Sequence, residues 1–142
     1  MKIRRLTISE YDRIVALWKR SELPFRPSGR DRKDAVQAQM RVDSDFFLGA
    51  CEGDRLVGVV VLTSDGRKGW INRLAVDPNF RRKGVAKTLI KESEKILRKH
   101  GLRIFCALIE DYNKSSMQLF KKCGYKEHRD IVYFSKRDSE RI

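Results

Sequence analysis

Residues 70–86 read WINRLAVDPNFRRKGVA, and three changes of chemistry inside this stretch organise the chain. Trp70, Ile71, Leu74, Ala75 and Val76 make a mostly apolar run that fits a buried pleated surface and predicts a strand. Asp77-Pro78 ends it, because proline has no N–H to give a ladder and aspartate favours local turns. Beyond the turn, Val85, Ala86, Leu89, Ile90, Ile96 and Leu97 recur at helical spacing, with Lys87, Lys91, Lys95 and Arg98 on the other side. His100-Gly101 closes that helix with the residue type that most easily turns left-handed after a helix C-terminus.

A helix opening directly after a strand presents N–H groups without intrahelical partners, where the macrodipole places about half a positive charge. Gly84 lets an anion approach that backbone, and Arg81, Arg82 and Lys83 add side-chain charge, so the junction predicts a phosphate site. It is not a P-loop, since Arg81 and Ala86 stand where that motif needs glycine, and the chain has no G-x-G-x-x-G.

Working outward, residues 2–6 predict a first strand. Thr7-x-x-Glu10 predicts a capping box before a helix carrying Tyr11, Ile14, Val15 and Trp18 on one face. Residues 21–30 break regular structure with Pro24, Pro27 and Gly29, and a second helix follows over 31–42. Strands are predicted over 46–51 and 56–63, joined at Gly53-Asp54, and Asp65-Gly66 turns the chain into the opening strand. Residues 102–109 are almost wholly apolar, which predicts a central strand covered on both faces, and a final pair over 125–127 and 131–135 is expected to close the sheet. The order predicts an α/β (α+β) fold, one mixed sheet with helices on both faces in a single domain over 1–142.

The pattern Arg81-x-x-Gly84-x-Ala86 after Leu74-Ala75-Val76-Asp77-Pro78 resembles the acetyl-CoA-binding signature of the GNAT superfamily of N-acetyltransferases. Residues 113–125, NKSSMQLFKKCGY, resemble the second motif of that family: an Asn opening a short helix, an inner-face aromatic and a closing Gly-aromatic pair. The resemblance implies a GNAT-like, mainly antiparallel sheet whose fourth strand splays from the fifth, with the pantetheine arm of acetyl-CoA in the gap. Leu74, Ala75 and Val76 would then bind through main-chain groups. The diphosphate would lie on Arg81, Arg82, Lys83, Gly84, Val85 and Ala86, while Asn113, Ser116 and Phe120 would meet the arm or the thioester end. Each residue also has a plainer reading. Leu74 and Val76 suit a core, Arg81 to Lys83 a solvated basic run, Asn113 a helix N-cap, and Phe120 with Met117 ordinary core spacing.

The chemistry implied is attack of a neutral amine on the acetyl carbonyl, with a main-chain N–H near residues 74–76 facing the oxyanion. Two expected groups are missing. Many family members protonate the leaving sulfur with a tyrosine where this chain has Phe120, so Tyr112, Tyr125, Tyr133 or water is left to do so. A relative that acetylates protein N-termini carries a glutamate at the position aligned with Leu108, which leaves Glu110, with Asp111 beside it, as the candidate base. On the acceptor side, residues 22–35 read ELPFRPSGRDRKDA, whose Arg26, Arg30, Arg32 and Lys33 would favour an acceptor with acidic groups.

Composition frames these readings. Hydrophobic residues are 41% and no apolar run approaches the ~20 residues of a membrane span. The N-terminal Met1-Lys2-Ile3-Arg4-Arg5 precedes no signal-like stretch, so a cytoplasmic protein is expected. Cys51, Cys106 and Cys123 lack metal or disulfide spacing, and neither a metal nor a bridge is expected. A formal charge of +13 supplies the rival reading, a basic nucleic-acid-binding module, although no helix-turn-helix, zinc finger or RRM motif accompanies it. The expected partners are acetyl-CoA and an amine acceptor, protein or small molecule, with no membrane. Nucleic acid is the less favoured partner, and a homodimer and a GNAT-like domain that binds acyl-CoA without transfer stay open.

Overall fold

Hairpin turns dictate most of the sheet. In the computed structural model, which describes residues 1–142, β1 (Lys2–Arg5), β2 (Phe47–Glu52), β3 (Arg55–Ser64) and β4 (Gly69–Val76) pair antiparallel, and β5 (Phe105–Cys106) lies parallel to β4. Between them run α1 (Tyr11–Arg20), α2 (Lys33–Val42), α3 (Val85–Lys99) and, after β5, α4 (Lys114–Lys122). α1 begins as predicted, with the Thr7 N–H donating to Glu10 Oε2 at 3.0 Å. The Glu10 carboxylate also meets Arg4, which holds it below the usual carboxylate range.

The sheet separates two cores. On one face Ile14, Leu17 and Trp18 of α1 and Val36 and Met40 of α2 pack on Phe47, Val59, Val61 and Ala75. On the other, Val85, Leu89, Ile90 and Leu97 of α3 pack on Leu48, Val57, Val60, Leu62 and Ile71, joined by Phe120 of α4. α3 seats tightly because β3 offers Gly58 beneath it: a Cβ there would meet Val85 Cγ1 at 2.8 Å and Leu89 Cδ1 at 2.9 Å. Cys51 lies in the core, Cys106 and Cys123 are half-buried, and all three are free thiols. His100 does more than complement a helix dipole: its Nδ1 is 3.3 Å from Asp43, its Nε2 3.6 Å from Asp45, and its ring lies against Phe46.

Two expectations fail beyond α3. The strand predicted over 102–109 is only Phe105–Cys106, with Ile104 and Leu108 exposed while Ala107 and Ile109 pack toward α3. The apolar run lies at the sheet edge, where the α1–α2 layer does not cover it, so one of its faces stays open. The pair expected over 125–127 and 131–135 is absent, and Ile131, Val132, Tyr133 and Phe134 are 66–89% exposed. β-Prone residues make a strand only against a ladder partner, and a two-residue β5 that leaves β4 gives them none.

Candidate functional site

A bulge on β4 sets the geometry of the candidate site. Val59 pairs with Ala75 but Val61 with Asn72, so Arg73 and Leu74 together stand opposite Val60. Arg73 takes a φ of +52°, a left-handed conformation that costs a non-glycine residue about 1–2 kcal/mol. The extra residue resets the alternation of side chains: Ile71 before it and Leu74 and Val76 after it all face α3, while Ala75 faces α1 and α2. The main chain is reset as well. The Asp77 N–H donates to Val57 O at 2.8 Å, so the peptide groups of Ala75 also point at β3, and those of Leu74 and Val76 point away. On that open side β5 pairs only with Gly69 and Trp70, which leaves Leu74 and Val76 facing the gap between the two strands.

The turn that follows is locked from beneath. Asp77 is buried; its Oδ1 accepts the Asn79 N–H at 2.9 Å, and its Oδ2 meets Arg20 at 3.2 Å and Arg55 at 3.3 Å. The Asn79 N–H first, and then the two guanidinium groups, hold the carboxyl below its ordinary range against the opposing effect of burial. Above it Arg82 and Gly84 adopt φ of +64° and +78°. No backbone or side-chain group of the protein accepts from the N–H groups of residues 81–87, whereas the next, Thr88, donates to Gly84 O. A Cβ on Gly84 would meet nothing within 4 Å, so glycine is required there for its backbone conformation rather than for room. Arg81, Arg82 and Lys83 are exposed and enter no ion pair.

α4 sits beside this junction. The Asn113 side chain caps it, Oδ1 accepting from the Ser116 N–H at 3.2 Å, and Ser116 is half-buried. Phe120 is buried, edge-on to Tyr125 with centroids 5.0 Å apart. The Tyr125 hydroxyl donates to Glu94 Oε2 at 2.6 Å, and burial together with that carboxylate raises the phenol well above its usual range. Tyr112, Tyr133 and Leu108 are exposed. Glu110 is exposed too, and its carbonyl accepts the Asn113 N–H at 2.9 Å, which ties the end of the β5 segment to the α4 cap. The fold thus brings Leu74, Val76, Val85 and Phe120 into one core cluster, and sets Ala75 on the opposite face.

Behind the bulge, on the α1–α2 face, lies a cavity of about 200 Å³ whose lining includes Trp18, Arg30, Asp31, Gln39, Asn72 and Arg73. Arg73 lies over the Trp18 ring at 4.2 Å and donates to Pro24 O at 2.9 Å and to Asp31 Oδ2 at 3.4 Å. Burial lowers its pKa. The one sign of this residue in the sequence is a charge inside an apolar strand; the bulge that turns it toward α1 has no sequence mark.

A bulged fourth strand parting from a parallel fifth, followed by a helix with unpaired N-terminal amides, is an architecture that known proteins share. The Acetyltransferase (GNAT) family model matches residues 11–125. "Acetyltransferase plu1384" of Photorhabdus laumondii subsp. laumondii is 30% identical over 138 residues, covering 96% of this chain and 95% of that protein. The PaiA N-acetyltransferase of Thermoplasma acidophilum, solved in complex with coenzyme A, superposes with a TM-score of 0.77 at 23% identity, over 88% of this chain and 89% of its own. AAC(6')-Iy, solved with the bisubstrate analogue CoA-S-monomethyl-acetylneamine, gives 0.76 at 19% identity, over 96% and 97%. This chain belongs to the GNAT acetyltransferase family.

Proposed function

We propose that the protein transfers the acetyl group of acetyl-CoA to a primary amine by direct attack in a ternary complex. The observation that carries this reading is the run of unpartnered N–H groups over residues 81–87, at the mouth of the gap that Leu74 and Val76 face. A diphosphate supplies the acceptors those amides lack, and Arg81, Arg82 and Lys83 add charge around it. The pantetheine arm pairs with the free peptide groups of Leu74 and Val76 much as a strand pairs with an open edge. Asn113, Ser116 and Phe120 border its far end.

In the transfer the amine nitrogen bonds to the acetyl carbon, the C–S bond breaks, and the amine proton is lost while the thiolate leaves. A main-chain N–H at the bulge stabilises the oxyanion. Glu110 is the candidate base, acting through water from its exposed position at the strand end. Phe120 has no proton to give, and the Tyr125 hydroxyl is engaged with Glu94, so the sulfur departs as thiolate or takes its proton from water. Structural neighbours solved with coenzyme A and with a CoA–acetylneamine analogue support both halves of this reading.

Thermal unfolding with and without acetyl-CoA tests the binding half. A hundredfold excess over the dissociation constant adds about 2.7 kcal/mol, a rise of roughly 5–10 °C for a domain of this size. Absence of any shift with acetyl-CoA or CoA would refute it. Thiol release across a panel of amines and peptides then separates transfer from binding without turnover.

A further inference from the structure

We infer that the cavity behind the β4 bulge is an anion subsite for the acceptor, and that the preferred acceptor is a small amine bearing a carboxylate, held by Arg30 and Arg73. This rests on the acetyl-transfer reading and goes beyond it, since that reading leaves the acceptor undefined.

Size is the first ground. At about 200 Å³ the cavity falls below the ~300–1,000 Å³ of most small-molecule pockets, which suits a compact head group rather than a large acceptor. Charge is the second. Two guanidinium groups line it against one carboxylate: Arg73 pairs with Asp31 Oδ2 at 3.4 Å, which also accepts the Arg26 N–H at 2.6 Å, and one positive charge is left over. Arg30 enters no ion pair or hydrogen bond with the protein. The third ground is a surplus of donors. Trp18 Nε1 and Arg73 Nε are buried without an acceptor in the protein, and both residues belong to the lining. A carboxylate is a compact anion that offers acceptors only.

The rest of the lining fits the remainder of such a molecule. Val36, Phe47 and Val61 offer apolar contact. Asn72 gives its Nδ2 to Thr63 Oγ1 at 2.9 Å and so leaves Oδ1 to accept from an amine at the bulge. Positive charge beside that position disfavours an ammonium and favours the neutral amine, the nucleophilic form. The same field repels a polyamine.

Initial rates of thiol release with L-leucine, 3-methylbutylamine and spermidine test this, since the first two differ only by the carboxylate. Leucine is expected to exceed 3-methylbutylamine at least tenfold in kcat/KM, with spermidine lowest. Arg30→Glu should cut the leucine preference roughly tenfold, the scale of one charge-assisted hydrogen bond, and Arg30→Lys should restore part of it. Calorimetry with N-acetyl-L-leucine provides a readout independent of turnover, with binding to the unaltered protein and weakening of at least tenfold in Arg30→Glu. Preference for 3-methylbutylamine or spermidine, an Arg30→Glu protein with unchanged preference, or no binding of N-acetyl-L-leucine would each overturn the inference. The acetyl-CoA melting shift separates the two levels. Its absence refutes the transfer reading, whereas a normal shift with indifference to the carboxylate refutes only the subsite.

Discussion

The β4–α3 junction and the cavity behind the bulge lie on opposite faces of one strand and are built from different materials. The junction is local in sequence and offers main-chain N–H groups whose direction follows from a left-handed Gly84 and a helix start. The cavity is assembled from side chains of α1, α2, their connecting loop, β3 and β4, and its character depends on Arg73 turning toward Trp18. Main-chain recognition tolerates side-chain change. Side-chain recognition changes with one substitution.

That contrast breaks first at Gly84. Gly84→Glu should abolish the acetyl-CoA stabilisation of about 2.7 kcal/mol, and should itself cost about 1–2 kcal/mol because φ is +78°. A variant that still shows the full melting shift would remove the diphosphate from these amides. Asp77→Asn comes next, with an expected loss of about 1–3 kcal/mol at neutral pH, since a buried acceptor of two guanidinium groups loses its charge while the Asn79 cap survives. Its pH profile sharpens the assignment. A carboxyl whose folded pKa is depressed stabilises the fold above the ordinary carboxylate range, near pH 4, and that contribution disappears as pH falls through the folded value. Urea unfolding from pH 7 to 2 should therefore show the difference between Asp77→Asn and the unaltered protein shrinking below about pH 4. Asn113→Ala should lower stability by about 1 kcal/mol through the lost N-cap, and a larger fall in acetyl-CoA affinity than in stability would show contact with the arm. Smallest is Leu74→Met, a volume-conserving change that should leave the acetyl-CoA melting shift intact; its loss would mean that side chains, not peptide groups, bind the arm.

The elements up to α3 were legible because each carries its own local signal: Thr7 and Glu10 at a helix start, Gly53-Asp54 at a hairpin, Asp77-Pro78 at a strand end. The edge beyond β5 was not. Residues 131–135 have strand composition, yet whether such a segment pairs depends on an edge that another part of the chain must supply. The site divides in the same way. Arg81, Gly84 and Asn113 stand in recognisable spacing, whereas Arg73 and Trp18 lie 55 positions apart and meet only because of a bulge. Asp77 was legible as a turn residue but not as the buried partner of Arg20 and Arg55.

The layered sheet, the helix boundaries before β5 and the place of the unpartnered amides were all written in the amino-acid sequence, because propensity, turn chemistry and helix-terminus dipoles act over a few residues. Only the tertiary structure decided which face Arg73 takes, how far β4 and β5 stay together, and where donors are left without acceptors. Those outcomes depend on register and on side chains brought together from distant elements, and a one-residue bulge suffices to change them.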